Sequence, residues 1–149
     1  MIRVLIVEDH PLIIAAVRYE LSLDPEFEVV GELKNSFGLA KLVRDKQVDV
    51  LILDLSLTGE TFEPVTAVRS LTSGNPNLGI LILTGMDNPL MMSALTEAGA
   101  LGYILKSDDL SLLVRAVRRF IIGTIFIPSK SKLNFSKWIK QINSPKWSG

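Results

Sequence analysis

The sequence of 149 residues has no cysteine and a single histidine, His10. The first absence excludes a disulfide framework, a thiolate zinc site and a cysteine nucleophile. The second excludes a catalytic triad or metal cage that needs several imidazoles. Long hydrophobic runs are missing as well, since no stretch approaches the ~18 apolar residues that cross a bilayer. The start, Met1-Ile2-Arg3-Val4, lacks the charged segment and cleavage site of a secretory signal, so the expected location is cytoplasmic.

What is present is a core. Apolar residues make up 48% of the chain and charged residues 21%, which excludes disorder throughout. Net charge is zero but unevenly spread. Residues 1–127 hold 16 acidic and 11 basic side chains, whereas residues 128–149 hold five lysines and no acid. That split predicts a boundary at Pro128, with a domain over 1–127 and a basic tail over 128–149.

Five short apolar runs, Ile2–Val7, Phe27–Leu33, Val48–Leu55, Leu78–Leu83 and Gly102–Leu105, alternate with stretches of helical spacing. Several runs are apolar at nearly every position, as in strands buried on both faces of a parallel sheet. Pro11 suits a first helical turn, and Leu12, Ala15, Ala16, Tyr19 and Leu23 are expected to form the buried stripe before Asp24-Pro25. Asn35 or Ser36 is expected to cap the second helix. The third is expected between Thr61 and Leu71, and the fourth over Leu90 to Ala98. The fifth is expected to be capped by Asp108 or Ser111 and to bury Leu110, Leu113, Val114, Val117 and Ile121. Repeated β and α elements imply right-handed crossovers and helices on both faces of the sheet. Ligands of such sheets bind at the carboxyl ends of the strands.

Those strand ends carry Glu8-Asp9, Asp54, Thr84 and Lys106. Three carboxylates from two strands repel one another unless a cation lies between them, and oxygen ligands alone favour Mg²⁺. A carboxylate beside such an ion can attack a phosphoryl group. One lysine and one hydroxyl can then hold its oxygens. Asp54, Lys106 and Thr84 fill those three roles. Each residue alone reads more simply as a turn, loop or surface group; the set at four strand ends is the signal.

Val7-Glu8-Asp9-His10-Pro11, Leu51-Ile52-Leu53-Asp54-Leu55, Ile82-Leu83-Thr84-Gly85 and the segment Gly99-Ala100 through Gly102-Tyr103 to Leu105-Lys106 resemble the receiver domain of two-component response regulators. The Asp9-His10-Pro11 segment is most similar to the NarL/FixJ type. The resemblance implies a flavodoxin-like, doubly wound, five-stranded parallel sheet in the order 2-1-3-4-5 with five helices. It further implies that Asp54 accepts phosphate from a sensor histidine kinase or a small phosphodonor, and that the domain signals without catalysing turnover beyond slow loss of its own phosphate. Asp9 and Asp54 would ligate Mg²⁺ directly, Glu8 through water, and Ser56 by its backbone carbonyl. Thr84 and Tyr103 would form the switch, Lys106 would pair with the phosphate, and the output would be a changed protein surface tied to transcription control. Homodimerisation is a further expectation of this kind. On its residues alone Tyr103 reads equally well as a half-buried strand aromatic, and His10 receives no chemistry.

The sequence departs from the family after Asp54, where Leu57-Thr58-Gly59-Glu60 replaces the common Met-Pro-Gly wording, and at Ser107, where proline is frequent. Met86, two residues past Thr84, is expected to shield the phosphoryl group. A phosphatase of the haloacid-dehalogenase type would need a second Asp where Ser56 stands, and no Gly-rich fingerprint follows the first strand. The remaining rival is a receiver that folds but acts as a scaffold without phosphorylation.

Residues 128–149 show no helix-turn-helix pattern, so DNA contact is expected only through an output domain outside this sequence. Phe135, Trp138, Ile139 and Ile142 recur at helical spacing among Lys137 and Lys140, which predicts a short amphipathic helix. Docking onto the receiver or a second subunit is its plainest use, and contact with an anionic membrane a sharper one.

Overall fold

The computed structural model describes residues 1–57 and 63–121. Residues 58–62, the expected boundary at Pro128 and the expected tail helix lie outside the described residues. The chain alternates β1 (Ile2–Val7), α1 (Pro11–Ser22), β2 (Phe27–Leu33), α2 (Leu39–Asp45), β3 (Val50–Asp54), α3 (Pro64–Gly74), β4 (Gly79–Thr84), α4 (Pro89–Ala98), β5 (Gly102–Leu105) and α5 (Leu112–Ile121). All five strands are parallel and ordered β2-β1-β3-β4-β5. The fold expected from sequence is the fold observed.

Strands without polar alternation follow from a sheet covered on both faces. Leu5, Val7, Leu51, Leu53, Ile80, Ile82 and Tyr103 pack with Leu39, Val43, Val68, Leu71, Met92 and Leu95 of α2, α3 and α4. Their neighbours Val4, Ile6, Ile52, Leu81, Leu83 and Ile104 pack with Val17 and Leu21 of α1 and with Leu113, Ala116 and Val117 of α5. Each fully buried Leu or Ile adds about 1.5–3 kcal/mol relative to exposure, so the central strands are the most strongly held part of the domain.

The helix details differ from expectation in four places. In α1 the buried residues are Ile14, Val17 and Leu21, while Leu12 and Tyr19 are 85% and 62% exposed and Leu23 also faces outward. This helix is apolar on more than one side, so periodicity alone does not fix which stripe meets the sheet. The second helix is capped by Gly38 at φ 74°, a left-handed position that favours glycine. Asn35 instead accepts a hydrogen bond from Phe37 N in a turn. Asp108 does not cap α5; its Oδ2 accepts from Leu105 N at 3.1 Å and closes the turn after β5. The third helix begins at Pro64, behind a Glu63 side chain that accepts from Val65 N, and runs on to Gly74.

Strand register brings the chemical groups level. Val7 pairs with Leu53, Asp54 with Leu83 and Thr84 with Leu105. The residues just beyond β1 and β5 therefore lie beside the last residues of β3 and β4. From β1 the chain moves outward to β2 and then back across to β3, which opens the crevice between the loops after β1 and β3.

Candidate functional site

Glu8 and Asp9 follow β1, and Glu8 N donates to Leu33 O at 2.9 Å, holding the end of that strand against β2. Asp54 is the last residue of β3. Its Oδ1 accepts from Ser56 N at 3.0 Å, which leaves Oδ2 turned to the crevice. Lys106 N donates to Thr84 O at 2.7 Å, so the ends of β4 and β5 are tied together. From there Lys106 Nζ reaches Glu8 Oε2 at 2.9 Å and Asp54 Oδ2 at 3.2 Å.

Glu8 and Asp54 are fully buried, yet among the described residues neither Glu8 Oε2 nor Asp54 Oδ2 receives a hydrogen bond of good geometry. Both oxygens face the ammonium of Lys106 at ion-pair distance. Burial pushes the Asp54 carboxyl above the ordinary carboxylate range; the Ser56 N–H opposes this, the Glu8 charge reinforces it, and Lys106 opposes it again. Burial would lower Lys106, but its hydrogen bond to Glu8 and the Asp54 charge prevail and hold it above the usual lysine value. With Asp9 included, three carboxylates face one ammonium. The excess negative charge and the buried oxygens fit a hard dication, and of the residues expected to bind Mg²⁺ the carboxylates of Glu8, Asp9 and Asp54 lie within 4.8 Å of one another.

Thr84 and Tyr103 meet at the loop after β4. Thr84 is buried and its Oγ1 accepts from Met86 N at 3.2 Å. Tyr103 is packed inside the core and not half-buried, and its hydroxyl donates to Met86 O. Burial pushes its phenol up to about 12. One peptide segment thus touches both residues expected to form a switch. The Met86 side chain is itself exposed.

His10, which the sequence left without a role, turns back over the carboxylates. Its Nδ1 lies 2.6 Å from Glu8 Oε1, 3.1 Å from Asp9 Oδ1 and 3.3 Å from Lys106 Nζ. Its position directly after the acid pair was the one available signal.

The response regulator receiver domain profile matches residues 4–118. The chain belongs to that family. This receiver domain is 37% identical over 116 residues to the nitrate/nitrite response regulator protein NarP of Escherichia coli, a match covering 78% of this chain and 53% of NarP. The chain therefore spans about half the length of that relative. NarP and its kin are of the NarL/FixJ type. Among solved structures, the isolated receiver domain of RcsB from Salmonella enterica serovar Typhimurium, with the phosphomimetic BeF₃⁻, superposes with a TM-score of 0.81 at 28% identity, over 89% of this chain and 97% of that one. A structure of RcsB dimers bound to DNA matches with the same score and identity, over 91% of this chain and 68% of that one. Among the described residues no helix is long and apolar enough to cross a membrane.

Proposed function

We propose that this receiver domain is a phosphorylation-driven switch in two-component signalling, with Asp54 as phosphoacceptor. The observation that carries the reading is the buried Asp54 Oδ2, which among the described residues has no hydrogen bond of good geometry and lies 3.2 Å from Lys106 Nζ at the mouth of the β1/β3 crevice. An Asp54 carboxylate oxygen attacks the phosphorus of a phosphohistidine on a sensor histidine kinase, or of a small acyl phosphate. The new O–P bond forms as the P–N or P–O bond to the donor breaks, and the electron pair leaves with the imidazole or the carboxylate. The attacking group must be ionised, and Lys106 favours that form.

Mg²⁺, when bound, would neutralise charge on the phosphoryl oxygens, and Glu8, Asp9, Asp54 and the Ser56 carbonyl are the groups proposed to hold it. Lys106 then exchanges part of its pairing with Asp54 for a phosphoryl oxygen. Thr84, now bonded to Met86 N, donates its hydroxyl to another. Because the Tyr103 hydroxyl is bonded to Met86 O, a movement of Thr84 alters the loop that holds the aromatic ring. The added charge shifts a pre-existing equilibrium of the α4–β5 face, and that surface is the output. The relatives' printed roles extend this to transcription control, with dimerisation as one readout. Any DNA contact would belong to a region beyond the receiver.

The test is BeF₃⁻ with Mg²⁺, followed by NMR of Thr84 and Tyr103 and by sedimentation. Coupled shifts at both residues that need Mg²⁺ and vanish in Asp54→Ala support the proposal. Unchanged spectra at saturating BeF₃⁻ would leave a scaffold that does not switch.

A further inference from the structure

We infer that His10 is a metal ligand of the acidic site and gives it a preference for borderline transition-metal dications over Mg²⁺, an inference that rests on the metal-dependent reading above. Donor atoms of Glu8, Asp9, His10 and Asp54 all lie within 4.8 Å of one another. A single ion can therefore be shared by three carboxylate oxygens and one imidazole nitrogen.

Independent support comes from the buried oxygens. Glu8 Oε2 and Asp54 Oδ2 belong to side chains that are 0% exposed, and among the described residues they receive no hydrogen bond of good geometry and have only the Lys106 ammonium at ion-pair distance. One positive charge faces three carboxylates, so the cluster has both the vacant lone pairs and the charge to take a dication.

Local structure explains why the ring is available. His10 is the N-cap residue of α1, yet its side chain makes no capping bond, and Pro11 follows it at the start of the helix. The backbone N–H of His10 is instead turned onto Glu8 Oε1 at 3.1 Å. That turn carries the ring over the carboxylates and aims Nδ1 at them. Two ligands at about 2.1 Å from one ion stand farther apart than the present 2.6 Å between Nδ1 and Oε1. The ring, 56% exposed, has room to withdraw by that margin.

Ligand chemistry sets the direction of the preference. Mg²⁺ favours oxygen ligands and keeps several waters, so it gains little from an imidazole. Ions from Mn²⁺ to Ni²⁺ bind nitrogen with rising affinity, so one such ligand separates them from Mg²⁺. The chain has no other histidine and no cysteine, which makes nitrogen ligation by a side-chain imidazole assignable to His10 alone.

The experiment is calorimetric titration of the full chain, without an affinity tag, with Ni²⁺ and separately with Mg²⁺, in wild type and His10→Ala. The expected result is a loss of about tenfold or more in Ni²⁺ affinity, the scale on which altered metal surroundings act, with Mg²⁺ affinity nearly unchanged. In parallel, Co²⁺ should displace the single set of imidazole proton signals far from its diamagnetic position. Equal Ni²⁺ affinity in both proteins, with Mg²⁺ binding intact, would overturn the role of His10 and leave the proposed switch standing. Absence of binding of either ion to wild type would overturn the metal-dependent reading itself.

Discussion

Lys106 Nζ lies 3.2 Å from Asp54 Oδ2, a contact between residues 52 positions apart that exists because β3 and β5 flank β4 in one parallel sheet. The pair is held in buried surroundings where three carboxylates outnumber one ammonium, so its two members affect stability in opposite directions.

Asp54→Asn should stabilise the ion-free protein by roughly 0.5–2 kcal/mol, the usual scale when an active-site conflict is removed. Lys106→Met should destabilise it by about 1–3 kcal/mol, because Glu8 and Asp54 lose their cation. The pH dependence follows from the raised Asp54 value. Above its ordinary value of 3.8, and up to its higher folded one, the folded state holds a proton that the unfolded chain has lost. The contribution of Asp54 to stability therefore falls as pH rises through that window, and this slope is absent in Asp54→Asn. Urea denaturation in chelator across pH measures all three effects.

Tyr103 should titrate at about 12 in the folded protein, against 10.0 for an ordinary phenol. Between those values the folded state keeps the proton that the unfolded state releases, so stability drops as pH rises through that interval. Tyr103→Phe should flatten the drop and remove the late step in phenolate absorbance. A late step that persists in the variant would contradict the inward, bonded placement of this ring.

Gly99→Ala should be strongly destabilising. Gly99 ends α4 at φ 121°, and an added Cβ would stand 2.7 Å from Thr72 Cγ2. Thr72 cannot retreat freely, because its Oγ1 lies within hydrogen-bond distance of Ala98 O at 2.8 Å and of Val68 O at 2.9 Å, and its single hydroxyl proton is held between them. Strain of about 1–3 kcal/mol from the backbone alone sets a floor on the loss, read by thermal or urea unfolding.

Met86→Asn tests whether the apolar side chain two residues beyond Thr84 shields an acyl phosphate. Faster phosphate loss in the variant, followed after removal of the donor, supports shielding. Met86 is exposed and its bonds to Thr84 and Tyr103 are made by its backbone, so the substitution leaves those contacts in place. An unchanged rate removes the idea.

The sheet was legible because β1, β3 and β4 are apolar at nearly every position and then stop at charged or hydroxyl groups, which is the pattern of a strand leaving a two-sided core. The same stops, with the end of β5, mark Glu8, Asp9, Asp54, Thr84 and Lys106 as neighbours at one edge of the sheet. Helix faces were less legible. In α1 both Leu12-Tyr19-Leu23 and Ile14-Val17-Leu21 are apolar stripes, and only the sheet decides between them. Gly38 as a cap depends on a backbone angle, and Asp108 bonding back to Leu105 on a turn; neither has a spacing to read. The approach of His10 to Glu8 was hidden for the same reason, because it depends on which way a turn points a ring.

The central claim is that Asp54 takes up a phosphoryl group in a Mg²⁺-dependent reaction. Intact-mass and peptide mass spectrometry of the full chain, after incubation with acetyl phosphate and Mg²⁺, tests it most directly. The account predicts one phosphoryl adduct on the peptide holding Asp54, removed by hydroxylamine, prevented by chelator and absent in Asp54→Asn. A folded, Mg²⁺-binding protein that gains no adduct, or an adduct that survives in Asp54→Asn, would contradict it.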